Sequence, residues 1–84
     1  MDPYRVFIHV DLLESIPTKG RQRELIMEFA QLLAREPLTP GDFTYRDRTQ
    51  REQQVKIVGD FAVSYWVDEP VSAVMILGAR HADH

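Results

Sequence analysis

The sequence predicts an α+β domain: a first strand, a short and a long helix, then three or four antiparallel strands. Three observations lead there. Apolar residues recur at helical spacing over residues 19–36, and residues 53–78 alternate apolar and polar at the period of a strand. Short turn signals, "GD" at Gly59 and Asp60 and "DEP" from Asp68 to Pro70, break that second half into hairpins.

The elements follow in order. In "YRVFIHV", Tyr4, Val6, Ile8 and Val10 share one face, and Arg5, Phe7 and His9 the other. "DLLESIP" reads as a short helical turn, with Asp11 placed to cap it, Glu14 three residues on, and Pro17 to end it. Thr18 is the expected cap of the long helix, whose apolar stripe is Leu25, Ile26, Phe29, Leu32 and Leu33. Pro37 and the "PLTPGD" cluster stop it. "DFTYRDR" suits a strand with Phe43, Tyr45 and Asp47 opposed to Thr44, Arg46 and Arg48, and "QQVKIV", "FAVSYWV" and "VSAVMILG" are stronger strands. A helix laid on one face of such a meander leaves the other face open, which is where a small domain has room for a ligand.

With 84 residues, 44% hydrophobic and 27% charged, the chain suits one folded domain spanning 1–84. It has no cysteine, hence no disulfide and no thiolate nucleophile or ligand. "MDPYRVFIHVD" is too short and too charged for a signal peptide, and no apolar run approaches the roughly 20 residues that span a bilayer. The expectation is a cytoplasmic protein without a membrane partner. The net charge of −3 argues against indiscriminate nucleic-acid binding, yet Lys19, Arg21 and Arg23 cluster in one segment and Arg46, Arg48 and Arg51 in another. Neighbouring acids such as Asp47 and Glu52 leave ordinary solvated faces equally open.

Among residues with chemistry to offer, Phe61, Tyr65 and Trp66 suggest a base-stacking platform. Phe61 and Tyr65 share the face of Val63 and Val67 and belong to the core; Trp66 points the other way, toward stacking, packing or a partner. His81 and His84 in "HADH" have helical ligand spacing, and His9 could join them, but without a carboxylate pair no metal or other cofactor is expected. Ser15, Ser64 and Ser72 lie in no nucleophile elbow, and there is no glycine-rich phosphate loop. What remains is a set of arginines, one strand lysine and a near-terminal histidine. That set suits phosphodiester chemistry, in which histidine moves a proton and Lys or Arg neutralises charge on phosphorus.

The order of elements, with "IMEFAQLLAREPLTPGD", "VKIVGDFAVSYWVD" and "VMILGARHADH", resembles the RelE/ParE superfamily of bacterial type II toxins across nearly the whole chain. The resemblance implies a RelE/ParE-like fold and a toxin neutralised by a cognate antitoxin. It implies either a ribosome-dependent mRNA endoribonuclease acting on the ribosome and mRNA, or a poison of DNA gyrase. A catalytically silent relative that still binds antitoxin is a further possibility. On the nuclease branch the resemblance implies Lys56 and Arg80 at the scissile phosphate and His81 as acid or base. The pattern departs at Ala62, where the family carries arginine, at Gln54, where a second lysine is expected, and after Arg80, where no tyrosine follows. Either Arg46, Arg48 or Arg51 then substitutes in binding RNA from the neighbouring strand or loop, or nuclease activity is weak or absent.

Overall fold

The computed structural model describes residues 4–82. A five-stranded sheet in the order β1-β5-β4-β3-β2 carries both helices on one face. Its strands are β1 (Arg5–Ile8), β2 (Phe43–Arg46), β3 (Glu52–Val58), β4 (Phe61–Asp68) and β5 (Ala73–His81). The helices are α1 (Val10–Ser15) and α2 (Arg21–Arg35). β2 to β5 form the antiparallel meander, four strands long, and β1 adds to it in parallel beside β5. No helix among the described residues is long and apolar enough to cross a membrane.

The core lies between sheet and helices. Leu12 and Ile16 at α1, and Ile26, Phe29, Ala30 and Leu33 of α2, pack against Phe61, Val63, Tyr65, Val74 and Ile76. The Phe29 and Tyr65 rings meet edge to face at 5.3 Å, and the Tyr65 hydroxyl donates to the Thr39 carbonyl at 2.9 Å. The stripe differs from the expected one: Leu25 and Leu32 are only partly buried, and Ala30 takes a buried place. Ala30 joins because it lies one turn from Ile26 and next to Phe29, so the buried face is rotated slightly about the helix from the expected one.

Both helix starts differ from expectation. His9, not Asp11, caps α1, its Nδ1 accepting from the Asp11 backbone N–H at 3.1 Å, so β1 ends at Ile8 and Val10 enters the helix. Thr18 caps nothing; α2 starts after Gly20, whose φ of 100° turns the chain into the helix in a conformation that glycine alone adopts freely. The Gly59–Asp60 turn is as expected and fixes the β3–β4 register, with Val58 opposite Phe61 and Lys56 opposite Val63. Gln22 of α2 clasps this turn, donating to the Val58 carbonyl and accepting from the Asp60 N–H, each at 2.9 Å.

The last hairpin departs most. A 3₁₀ turn, Glu69–Val71, with Ser72 at φ 53°, replaces the short turn that the sequence suggested. β5 then runs three residues past Gly78, so Arg80 and His81 lie within the strand rather than after it. Midway, Tyr65 pairs with Ile76 but Ser64 pairs with Gly78, leaving Leu77 as an extra residue in a β-bulge.

Candidate functional site: an open sheet face with one arginine

The bulge decides which side Arg80 serves. Val74 and Ile76 point into the core, and strict alternation would send Gly78 and Arg80 after them. One extra residue at Leu77 reverses the parity. Ala79 now packs at the core, and Arg80 stands on the open face, directly across from Ala62. His81 turns to the helix side, its ring tilted over Phe61 at a centroid distance of 4.5 Å.

Arg80 therefore borders a groove of about 320 Å³, shared with Phe43, Tyr45, Val55, Ala62 and Ser64. Small residues make the floor: Ala62 and Ser64 of β4, then Gly78 of β5, where the groove continues toward Asp11 and Ser15 of α1. Among the described residues no carboxylate lies within ion-pair distance of the Arg80 guanidinium, which is exposed. A cation that no described carboxylate pairs, in a hollow without bulky side chains on its floor, is suited to an anionic ligand.

Lys56 is not in this groove. Residues directly opposite each other in a sheet share a face, and Lys56 lies opposite the fully buried Val63, on the helix side. Its ammonium sits 3.4 Å from the Asp42 carboxylate. That carboxyl is held below its ordinary value, first by the hydrogen bond from the Ile57 backbone N–H and then by Lys56. The expected trio is thus divided: Lys56 and His81 stand on one face of the sheet, Arg80 on the other.

Arg46, Arg48 and Arg51 gather at the β2–β3 hairpin tip, roughly 20 Å along β3 from the level of Arg80. Arg46 donates to the Gln50 carbonyl at 3.0 Å, and the Arg51 guanidinium lies 4.1 Å over the Trp66 ring. None of the three stands beside Ala62, and Trp66 has one ring face occupied. Phe61 and Tyr65 are buried, as their alternation required.

The sequence reasoning passed over Tyr45 and Gln53. Tyr45 lies on the groove wall, and its hydroxyl donates to Gln53 Oε1. Gln53, the one buried polar side chain among the described residues, donates in turn to Asp47 at 2.9 Å. Asp47 also accepts from the Thr49 hydroxyl and from the backbone N–H groups of Thr49 and Arg51. These bonds, the Thr49 hydroxyl foremost, hold its carboxyl far below the ordinary 3.8. A polar residue in step with Val55 and Ile57 along the strand, the first "Q" of "QQV", was the available signal.

No group of three potential metal ligands occurs among the described residues, and His84 lies outside them.

This arrangement has solved counterparts. Over 94% of its length the chain matches 94% of a chain in the archaeal RelE–RelB complex from Pyrococcus horikoshii OT3, with TM-score 0.76 and 20% identity. It also matches the toxin–antitoxin complex RelBE2 of Mycobacterium tuberculosis, with 99% of this chain and 97% of that one covered, TM-score 0.74 and 28% identity. The chain has the RelE-type toxin fold. No family model and no curated protein matches it in sequence. In this RelE-type toxin fold the likeness lies in the sheet and helix layout, which a divergent sequence can keep while the polar residues on its surface change.

Proposed function

We propose that this chain is the toxin component of a type II toxin–antitoxin pair, active in the cytoplasm, held by a cognate antitoxin, and directed at mRNA on the ribosome. The observation that carries the RNA reading is the bulge that places Arg80, unpaired by any carboxylate among the described residues, in an aromatic-walled groove on the open face. β-Bulges beside functional sites characteristically re-aim one side chain. In the reaction, the 2′-hydroxyl attacks the adjacent phosphorus, the bond to the 5′-oxygen breaks, and a cyclic phosphate and a 5′-hydroxyl result. Arg80 supplies charge stabilisation through a forked guanidinium matched to phosphate oxygens. In this reading Lys56 and His81, which stand on the helix face, take no part in that duty. The attacking hydroxyl's proton and the one gained by the 5′-oxygen then pass through water, the RNA or the ribosome, in keeping with a ribosome-dependent enzyme.

The division of Lys56, Arg80 and His81, with Ala62 beside Arg80, favours a second reading: a toxin relative that acts by binding alone, as a gyrase poison or a silent antitoxin partner. One experiment separates them. Induced expression, with mapping of mRNA 5′ ends and of gyrase-dependent DNA breaks, is run for wild type and Arg80→Ala, alongside capture by the neighbouring gene's product. The nuclease reading expects mRNA cleavage to fall about a hundredfold or more in Arg80→Ala with antitoxin capture intact. Toxicity that survives in Arg80→Ala, or DNA breaks without mRNA cleavage, overturns it.

A further inference from the structure

The aromatic rings available to a ligand are not those the core consumed. Phe61 and Tyr65 are 3% and 0% exposed, and Trp66 is overlaid by Arg51. Phe43 and Tyr45 of β2, by contrast, are 54% and 43% exposed. They pair with Val55 and Gln53 and so face the same side as Ala62 and Arg80. Residues two apart on a strand stand about 6.7 Å apart, roughly twice the 3.4 Å rise of stacked bases. Each ring can therefore carry one splayed base. Tyr45 is also fixed in advance, because its hydroxyl is tied to Gln53 and Gln53 to Asp47. A ring already held loses little freedom when a ligand arrives.

We propose that Phe43 and Tyr45 form a two-ring platform that stacks successive bases of single-stranded RNA along β2 and directs the phosphate beside them to Arg80. The proposal rests on the RNA-cleaving reading above. The charge pattern favours a nucleotide over an apolar peptide: the stretch lined by Phe43, Tyr45 and Arg80 holds one cation, and the carboxylate of Asp11 on its continuation is not within ion-pair distance of the Arg80 guanidinium. Stacked aromatics with an arginine opposite are the usual means of holding single strands. The Tyr45 hydroxyl, which donates to Gln53, is left only as an acceptor toward the groove, so the ring acts by stacking and not as an acid.

The test is fluorescence anisotropy of the whole chain with a labelled oligoribonucleotide of about ten nucleotides, 2′-O-methylated so that it cannot be cleaved. Phe43→Ala and Tyr45→Ala should each weaken binding by roughly tenfold. The dependence of log Kd on log salt should not change, because stacking releases no counterions. Arg80→Ala should instead lower that slope by about 0.7. Phe43→Trp, and Tyr45→Phe despite its lost hydrogen bond, should keep affinity near wild type, with thermal melts verifying the fold. Alanine variants at 43 and 45 that bind as wild type, while Arg80→Ala lowers the slope, overturn the platform and spare the RNA groove. An unchanged slope in Arg80→Ala, or a wild-type chain that binds no RNA at low salt, removes the RNA reading itself. Alanine variants that keep RNA but lose the antitoxin make this a protein-docking face and refute the proposal.

Discussion

Truncating Phe29 tests the seating of α2 on the sheet. The ring is 7% exposed, sits one turn from Ile26 and Leu33, and meets Tyr65 edge to face at 5.3 Å and 72°. Phe→Ala at such a position costs about 3–5 kcal/mol. Of that, about 0.5–1.5 kcal/mol belongs to the aromatic pair beyond its buried area. A domain of 84 residues holds about 4–13 kcal/mol in total, so Phe29→Ala removes about a quarter of the stability or more. At about 4–8 °C per kcal/mol the melting temperature falls by about 12 °C or more. Urea unfolding followed by circular dichroism reads the loss, and Phe29→Leu, costing about 1.5 kcal/mol or less, keeps the comparison measurable if the alanine variant is unfolded. A double-mutant cycle of Phe29→Leu with Tyr65→Leu isolates the ring pair. A cost below about 1 kcal/mol for Phe29→Ala at unchanged m, or no coupling in the cycle, would refute the packing of α2 through this ring.

Other outcomes are expected from the same structure. Gln22→Ala removes both links between α2 and the Gly59–Asp60 turn and should cost about 1–2 kcal/mol, read by thermal melting. Gly59→Ala should cost at least as much, because φ is 61° there and the added methyl meets the Gln22 amide. The carboxyls of Asp42 and Asp47 are held below the ordinary 3.8, so their stabilisation is complete above that pH and lost as pH falls through the lowered values. Asp47→Asn should flatten part of this acid limb in urea midpoints; an unaltered limb would mean that the hairpin carboxylate does not contribute. Burial, with the charge of Asp42, pushes the Tyr65 phenol from 10.0 up to about 12. The unfolded chain then loses this proton first, so stability is full below pH 10 and declines between 10 and 12. Tyr65→Phe should remove that decline, and a Tyr65→Phe protein with the same alkaline limb would assign it elsewhere.

Local chemistry in the sequence determined the elements and the burial of their apolar faces. The period of Ile26, Phe29 and Leu33 made α2, and the alternation of Phe61, Val63 and Tyr65 turned one face of β4 inward. The two-residue turn at Gly59–Asp60 fixed the β3–β4 register, so even the helix-side position of Lys56 follows from short-range rules. What no short-range rule supplied is the junction of β4 with β5. There the connection is a 3₁₀ turn with a left-handed Ser72, and the ladder accommodates one extra residue at Leu77. Because side chains alternate with period two, that single residue exchanges the faces of everything beyond it. It sends Arg80 to the open groove, away from Lys56, and turns His81 over Phe61; Arg80 and His81, being neighbours on one strand, face opposite ways with or without the bulge, although the sequence alone had grouped all three. Likewise, the exposure of Phe43 and Tyr45 depends on β2 lying at the sheet edge with no element over it, which is a property of strand order. Composition and periodicity act over a few residues and could set the faces of each strand; the choice of which functional side chains share a face required the pairing of strands brought together from distant parts of the chain.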